Sequence, residues 1–399
     1  MLLLDLSHTC HSRARSGVQR VCRELRRSLR NQHNVTEITH DPHERIWRSL
    51  EPWERAPLDG DLPPTQRRGA AWPVTARWRG LARRIIARRR LSETLPSAEG
   101  LIVPEIFSPA VANALPPLFD HVRGPRVALF CDAIALRLPQ FTPAGTVGRF
   151  PSYLDELRRF DGVVAISEDS RKSLLDYWAW AGWSEHPPVV AQPLPCDHLS
   201  IDSSGSATTI ASSSRPKILS VGSIEGRKNH LTLLAAADQL WSSGEMFELV
   251  LVGMSQRESG AAALREIKRL QAAQRPLTHL STATDALLNS AYRTCRYTVY
   301  PSLMEGFGFP VWESLLHGKP CICSAKGALG ETAAGGGCLT VDVNDPQALA
   351  NTMRGLLRDD QQLHDLTASA RQRTPRRWAD YARNLVDWMR SLPDRGTIH

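Results

Sequence analysis

An α/β protein of two domains is the fold class this sequence predicts, and three observations carry the prediction. Strand-like and helix-like segments alternate along the chain, which favours packed α/β layers. A length of 399 residues with 42% hydrophobic content is enough for two to three domains with real cores. The stretch from Cys196 to Pro216, rich in Ser, Thr, Ala and Gly, reads as a break between halves. A hinge there would let two domains close over a ligand. The domains are therefore read as 1–196 and 197–375, with a terminal segment 376–399.

The elements follow in chain order. Met1-Leu2-Leu3-Leu4-Asp5 reads as a buried strand rather than a leader, and no stretch is long or apolar enough to span a bilayer. The net charge of +8 is uneven: residues 1–196 hold 27 basic and 21 acidic side chains. Much of the excess lies from Arg67 to Arg90, where nine arginines occur with no acidic residue. Between Arg77 and Arg90, Trp78, Leu81, Ala82, Ile85 and Ile86 share one helical stripe with arginines around it. That pattern suits a helix lying on an anionic membrane, at roughly 1 kcal/mol per cation near the surface. It equally suits an amphipathic helix packed on its own domain with a solvated basic face. No zinc, RNP-like or helix-turn-helix signature accompanies the charge, so no nucleic-acid partner is expected. Ser167-Glu168-Asp169-Ser170 supplies a capped helix start.

In the second half, Ile218-Leu219-Ser220-Val221 is a short apolar strand running into Gly222, then a turn with Gly226 and the adjacent cations Arg227 and Lys228. Asn229 can cap the helix that begins around Leu231. Arg offers a bidentate fork to phosphate oxygens and Lys a compact charge. At the carboxyl end of a strand in an open α/β sheet, that pair suits a diphosphate. A basic surface turn is the plainer reading.

Tyr297 to Tyr300 reads as a buried strand, Pro301 ends it, and Val311 to His317 reads as helix. Between them, Glu305 and Glu313 stand eight positions apart around Gly306-Phe307-Gly308. The glycines permit a sharp turn and bring bare backbone N–H groups to a helix mouth, where phosphate or a sugar oxygen binds. Paired carboxylates accept hydrogen bonds from neighbouring hydroxyls, which suits a sugar. Two solvated glutamates beside a glycine-rich turn are the bland alternative. Cys321-Ile322-Cys323 reads as a core strand, and the eight cysteines lack metal-ligand spacing, as in a reducing cytosolic protein. Trp378, Tyr381, Leu385 and Trp388 fall at helical spacing near the carboxyl terminus.

The pattern VGSIEGRKNHLTLLAAA…VYPSLMEGFGFPVWESLLHGKPCICS…GETA resembles the donor domain of family 4 (group 1) retaining glycosyltransferases over most of residues 216–375. These enzymes have the GT-B fold, two Rossmann-like domains facing each other across a cleft. The resemblance implies that Arg227 and Lys228 hold the donor diphosphate at the turn after Gly222. It implies that Glu305 contacts the transferred sugar, the amides from Gly306 through Phe307 to Gly308 bind sugar and phosphate, and Glu313 meets the ribose. Glu331 stands where the family often has an acidic residue. More weakly, LDLSH…RSGVQRVCRELRRSL is similar to a subgroup whose first strand is followed by a Gly-Val-x-Arg-Val turn. There Gly17 would give the turn and Arg20 would meet phosphate. VALFCDAIALRLPQFT resembles a strand that in relatives often ends in His-Asp. Cys131-Asp132 stands in that place, so Asp132 remains the candidate to orient the reacting sugar or acceptor. In GT-B proteins a terminal helix typically packs back on the first domain, as residues 376–399 would.

The activity implied is transfer of a hexose from a nucleotide-sugar, with mannose from GDP-mannose nearest and a UDP-hexose next, to a lipid-linked or polysaccharide acceptor in bacterial surface polysaccharide synthesis. Charge developing on the leaving diphosphate would be met by Arg227, Lys228 and the loop amides, with no cofactor and no metal. The protein would be cytoplasmic, at the inner face of the plasma membrane. A nucleotide-sugar epimerase and a catalytically silent nucleotide-sugar binder remain as alternatives. Base recognition is expected around Met254 and Thr282–Leu287, and the acceptor side in region 40–120.

Overall fold

A computed structural model describes the chain apart from residues 15, 61–68, 88, 198–214, 257 and 394–399. Most of the expected hinge therefore lies outside the described residues. Two compact units form, one from Met1–Asp132, Arg149–Pro195 and Arg376–His399, the other from Ala133–Gly148 and Cys196–Pro375.

The first unit is built on seven strands: β1 (Leu2–Asp5), β2 (Val35–Asp41), β3 (Ile46–Ser49), β4 (Leu101–Val103), β5 (Arg126–Phe130), β6 (Gly162–Ala165) and β7 (Val189–Ala191). Their order in the sheet is β3-β2-β1-β4-β5-β6-β7, with only β3 antiparallel to its neighbour. Leu3, Leu4, Ile102, Val127, Val163 and Val164 are fully buried, as strands covered on both faces by helices require. Each such aliphatic side chain contributes about 1.5–3 kcal/mol on burial.

The helix Trp378–Arg390 buries Trp378, Tyr381, Leu385, Val386 and Met389 and packs on the helix Gly17–Gln32 of this unit. Ser28 Oγ donates to the Trp378 carbonyl at 2.9 Å and Gln32 Nε2 to that of Ala379 at 3.0 Å. Ser167 Oγ accepts from the Ser170 N–H and caps the helix Glu168–Trp180.

The second unit carries β8 (Lys217–Val221), β9 (Glu248–Val252), β10 (Leu277–Leu280), β11 (Tyr297–Tyr300), β12 (Cys321–Ser324) and β13 (Cys338–Val341). All are parallel, in the order β10-β9-β8-β11-β12-β13. Ile218, Leu249, Leu251, Val299 and Ile322 are fully buried, and the helix His230–Ser242 adds Leu233, Leu234 and Leu240 to the same core. The strand order reverses between β8 and β11, and there the loops after the strands diverge and leave a crevice.

Two differences from the sequence reading have plain physical reasons. Residues 133–148 belong to the second unit rather than to 1–196. There the Phe141 ring lies so close to Gly226 that a Cβ at 226 would meet it at 2.2 Å. The helix after β11 spans Phe309–Leu316, two residues earlier than read, because Pro310 suits its first turn.

Candidate functional site

The crevice at the β8/β11 reversal is shaped by glycines. β8 ends beside Gly222 (φ 154°) and β9 beside Gly253 (φ 153°), and a Cβ at 253 would stand 2.0 Å from the Gly222 carbonyl oxygen. Only a bare backbone fits there. The chain then turns through a short 3-10 helix, Gly226–Lys228, so that Arg227 and Lys228 project side by side. Asn229 takes a left-handed conformation (φ 56°) and does not cap the following helix with its side chain. Its Nδ2 donates to the Val343 carbonyl at 2.6 Å and its Oδ1 accepts from the Thr232 hydroxyl, which anchors the turn instead.

The loop after β11 is tied to that turn. The Leu303 N–H donates to the Arg227 carbonyl at 2.9 Å, and Ser302 Oγ lies 3.2 Å from the same oxygen. The tie brings Glu305 onto the cations. Its Oε1 lies 2.6 Å from Lys228 Nζ and 2.8 Å from an Arg227 terminal nitrogen, and it also accepts from Tyr300 OH at 2.9 Å and Ser302 Oγ at 2.5 Å. All four partners fall on one oxygen. Glu305 Oε2 accepts from no group among the described residues, so one carboxylate oxygen is held while the other is open to a ligand hydroxyl.

The electrostatics follow from burial and pairing. Burial alone would raise the Glu305 carboxyl, but Arg227 and Lys228 outweigh it and bring the pKa down to about 2. For Arg227, desolvation is overcome by Glu305 and Glu225, the latter 3.0 Å away, and the guanidinium stays charged. Lys228 is 8% exposed; burial, with Arg227 adding to it, lowers its pKa despite the attraction of Glu305. Lys228 Nζ also bonds the Tyr300 hydroxyl and sits 4.9 Å over its ring. His230, the first residue of the next helix, is buried, and desolvation with the nearby Lys228 charge lowers it to about 3.

Gly306, Phe307 and Gly308 are buried between β11 and its helix. Gly308 has φ 95°, and a Cβ there would strike Leu329 at 2.6 Å. Pro310 carries no N–H and the Val311 N–H bonds the Gly308 carbonyl. The N–H groups of Gly306, Phe307 and Gly308 meet no acceptor among the described residues. Phe307 packs edge-on against Phe309 at 5.1 Å. Glu313, 7% exposed on the second helical turn, accepts from Tyr292 OH at 2.8 Å. Glu331 is exposed on the helix Gly327–Ala333.

The remaining candidates lie in the first unit. Gly17 is the first residue of the helix Gly17–Gln32, with Ser16 preceding it as cap, at the point where the chain turns into the helix. Arg20 is half-buried one turn further along. Asp132 is half-buried just past the end of β5. Cys131 beside it is 4% exposed; burial, with Asp132 and Glu105, pushes its thiol up to about 12, so it stays protonated and unreactive.

Sequence reasoning missed Tyr300, Ser302, Glu225 and Tyr292. Tyr300 and Ser302 flank Pro301 at a strand's carboxyl end, a signal available in the sequence. Tyr292 belongs to the helix Asp285–Thr294 and meets Glu313 only through tertiary packing.

One cluster outside this site has metal-ligating side chains. Cys10, His11 and Glu54 are buried with their ligand atoms within 4.8 Å of one another. His11 Nε2 lies 2.8 Å from Glu54 Oε1 and Nδ1 lies 2.8 Å from the Ser7 carbonyl, while Arg48 pairs with both Glu54 oxygens. The imidazole and carboxylate are thus engaged in a hydrogen-bonded network.

Residues 208–373 match the family described as Glycosyl transferases group 1. Among curated proteins, the chain is similar to the serotype-specific mannosyltransferase WbdA of Escherichia coli, 26% identical over 339 residues. That alignment covers 80% of this chain and 38% of the relative, so the chain spans well under half the relative's length. Among solved structures, sucrose-phosphate synthase from Thermosynechococcus elongatus superposes with a TM-score of 0.66 at 19% identity, over 98% of both chains. Anabaena Alr3699/HepE in complex with UDP and glucose gives 0.66 at 16% identity, over 98% of this chain and 100% of that one. These structures show the fold, two parallel-sheet α/β domains of the GT-B kind.

Proposed function

We propose, from the premise that this chain carries a group 1 glycosyltransferase domain, that it transfers a hexose from a nucleotide-sugar with retention of anomeric configuration. Mannose from GDP-mannose is the donor we favour, given the similarity to a mannosyltransferase over most of this chain. The acceptor is a lipid-linked or polysaccharide glycan of a bacterial surface polymer.

One observation carries the reading. At the strand-order reversal of the second unit, two cations, an open carboxylate oxygen and three unpaired amides lie on two loops tied together. That set matches a sugar joined to a diphosphate. Arg227 and Lys228 would take the charge that develops on phosphate as the anomeric C–O bond breaks. Preorganised groups of this kind are worth about 10²–10³ in rate. Glu305, kept ionised by its neighbours, cannot serve as a proton donor near neutral pH. Its Oε2 would accept from a sugar hydroxyl, and Glu313 would accept from the ribose. The leaving phosphate would then assist deprotonation of the acceptor hydroxyl on the same face, with no protein nucleophile. The cation pair supplies the charge stabilisation, so metal-independent transfer is part of the proposal. Roles for Gly17, Arg20, Asp132 and Glu331 rest on the resemblance alone.

The test is transfer of labelled mannose from GDP-mannose to a lipid-linked glycan acceptor by wild type and Lys228→Ala. We expect turnover to fall about 10²–10³-fold in the variant. Wild-type turnover in Lys228→Ala would end the assignment. A second reading, a silent nucleotide-sugar binder, draws on the inert Cys131 thiol where relatives often have histidine. Donor binding without acceptor-dependent release of nucleotide in the same assay would favour it.

We further propose that the helix Val74–Ile86 meets an anionic membrane. Its buried residues are Ala76 and Gly80, so it packs through its small face. Val74, Trp78 and Ile85, which share a stripe, are 64%, 69% and 72% exposed, and Ile86 is exposed beside them. Arg83 and Arg79 pair with Glu51, which fixes the helix with its apolar stripe outward. No helix among the described residues is long and apolar enough to cross a membrane. A peripheral place at the inner face of the plasma membrane fits this stripe. Trp78→Ser/Ile85→Ser should abolish flotation with phosphatidylglycerol vesicles; unchanged flotation would refute the contact.

A further inference from the structure

The second unit has a cavity at the opposite ends of its strands. It encloses about 660 Å³ and is lined by Lys217, Arg293, Arg296, His317, Lys319 and Arg371, among others. Lys217 opens β8, Arg296 immediately precedes β11, and Lys319 stands two residues before β12. The cavity is therefore at the amino ends of these strands, whereas the candidate transfer site is at their carboxyl ends. A four- to five-residue strand separates the two by about 13–17 Å.

No carboxylate lines this cavity among the described residues. Arg293 and Arg371 are exposed and pair with no acidic side chain among the described residues. Arg296 pairs with Asp360, which fixes it at the rim, and Lys319 Nζ donates to the Cys295 carbonyl at 2.7 Å. His317 Nδ1 bonds the Glu313 carbonyl at 2.7 Å, while its Nε2 is buried with no hydrogen-bond partner. Arg293, Lys319 and Arg371, held around one concavity with no ion-pair partner among the described residues, repel one another until an anion enters. Low-dielectric walls focus that positive potential on the interior. Arginine forks recognise the planar spread of phosphate oxygens, and the volume suits a diphosphate or a sugar phosphate.

We propose that this cavity is a second anion site, separate from the transfer site, that binds a phosphate-bearing ligand. The phosphate arrives either free in solution or on a lipid headgroup. The proposal stands whether or not the chain is a transferase, because it uses none of the residues assigned to that role.

The test is equilibrium dialysis of the full chain against labelled inorganic pyrophosphate, with GDP and UDP in excess to fill any nucleotide site. Wild type and Arg227→Ala should both keep about one nucleotide-resistant pyrophosphate per chain. Arg293→Glu/Arg371→Glu, two changes at exposed positions, should weaken that binding at least about tenfold with an unchanged melting temperature. If the double variant melts early, Arg371→Ala alone is read, with the same loss expected in smaller measure. Absence of nucleotide-resistant binding, or binding indifferent to these changes, overturns the site. Flotation with phosphatidylcholine vesicles carrying phosphatidic acid separates the sources. Loss of vesicle binding in Arg293→Glu/Arg371→Glu places the phosphate on a lipid, and loss of pyrophosphate binding alone places it in solution.

Discussion

The two units share the order of six strands, yet their strand-order reversals are built with opposite charge. In the first, the end of β1 and the loop after β4 carry Asp5 and Glu105, 1% and 4% exposed. Glu105 accepts from the His8 and Thr9 N–H groups, each at 2.8 Å, so a side chain takes the amides that a bound phosphate would otherwise use. Asp5 accepts from the Ser7 hydroxyl and N–H, and neither carboxylate pairs with a cation among the described residues. In the second, the loops after β8 and β11 bring in two cations, hold them on one oxygen of Glu305 and leave three amides unpaired. The same crevice is thus closed in one unit by an internal anion and left open to an external one in the other. Topology offers the place, and a few loop residues decide the occupant.

Removing the internal anion of the second unit should produce the largest effect. Glu305→Gln leaves Arg227 and Lys228 buried together without their common counter-charge, a loss of about 3–5 kcal/mol. Denaturant titration would measure it, and GDP should stabilise this variant more than wild type because a diphosphate restores the missing charge. A variant as stable as wild type would show that the cations are already satisfied elsewhere. The pH dependence has a definite sign. The Glu305 pKa is depressed in the fold to about 2, so its stabilisation is present above the unfolded value of 4.5 and lost as pH falls towards 2.

The first unit should respond in the reverse sense. Burial, then Glu105, raises Asp5 from 3.8 to about 7. A raised acid stabilises the fold below its unfolded pKa, and that contribution is lost as pH rises through 7. A shift of about three units corresponds to up to about 4 kcal/mol by pH 8. Asp5→Asn should flatten the fall in stability between about pH 4 and 7, read as melting temperature against pH. An unchanged slope would mean that Asp5 is ionised in the folded protein.

Glu105→Gln is the finest probe of the comparison. It keeps one acceptor for the two loop amides and loses the charge, at about 1–2 kcal/mol. It should also lower the Asp5 midpoint, because the neighbouring negative charge is gone. A carboxyl resonance followed by NMR would report that midpoint, and no movement would remove Glu105 as a cause.

Much of the second unit was legible because its motifs are local. Gly222, Gly226, Arg227 and Lys228 lie within seven consecutive residues, and Glu305 and Gly308 within four, so strand end, turn and charge could be read together. Glu313 was found but its partner Tyr292 was not, since twenty-one residues and a different helix separate them. The first unit was less legible. Glu105 carried no motif because it acts on amides ninety-six and ninety-seven positions earlier. Phe141 shows the same limit, since its membership of the second unit depends on a glycine eighty-five residues away.

The amino-acid order by itself determined the alternation of strands and helices, the glycines at strand ends and which charges sit beside them, because these depend on neighbours along the chain. Only the tertiary structure decided that Glu305 spends one oxygen on both cations and keeps the other open. It alone turned the apolar stripe of Val74–Ile86 outward and gathered cations from three strand ends and two helices around one cavity. Those outcomes depend on burial and on distances between remote segments, which spacing along the sequence does not encode.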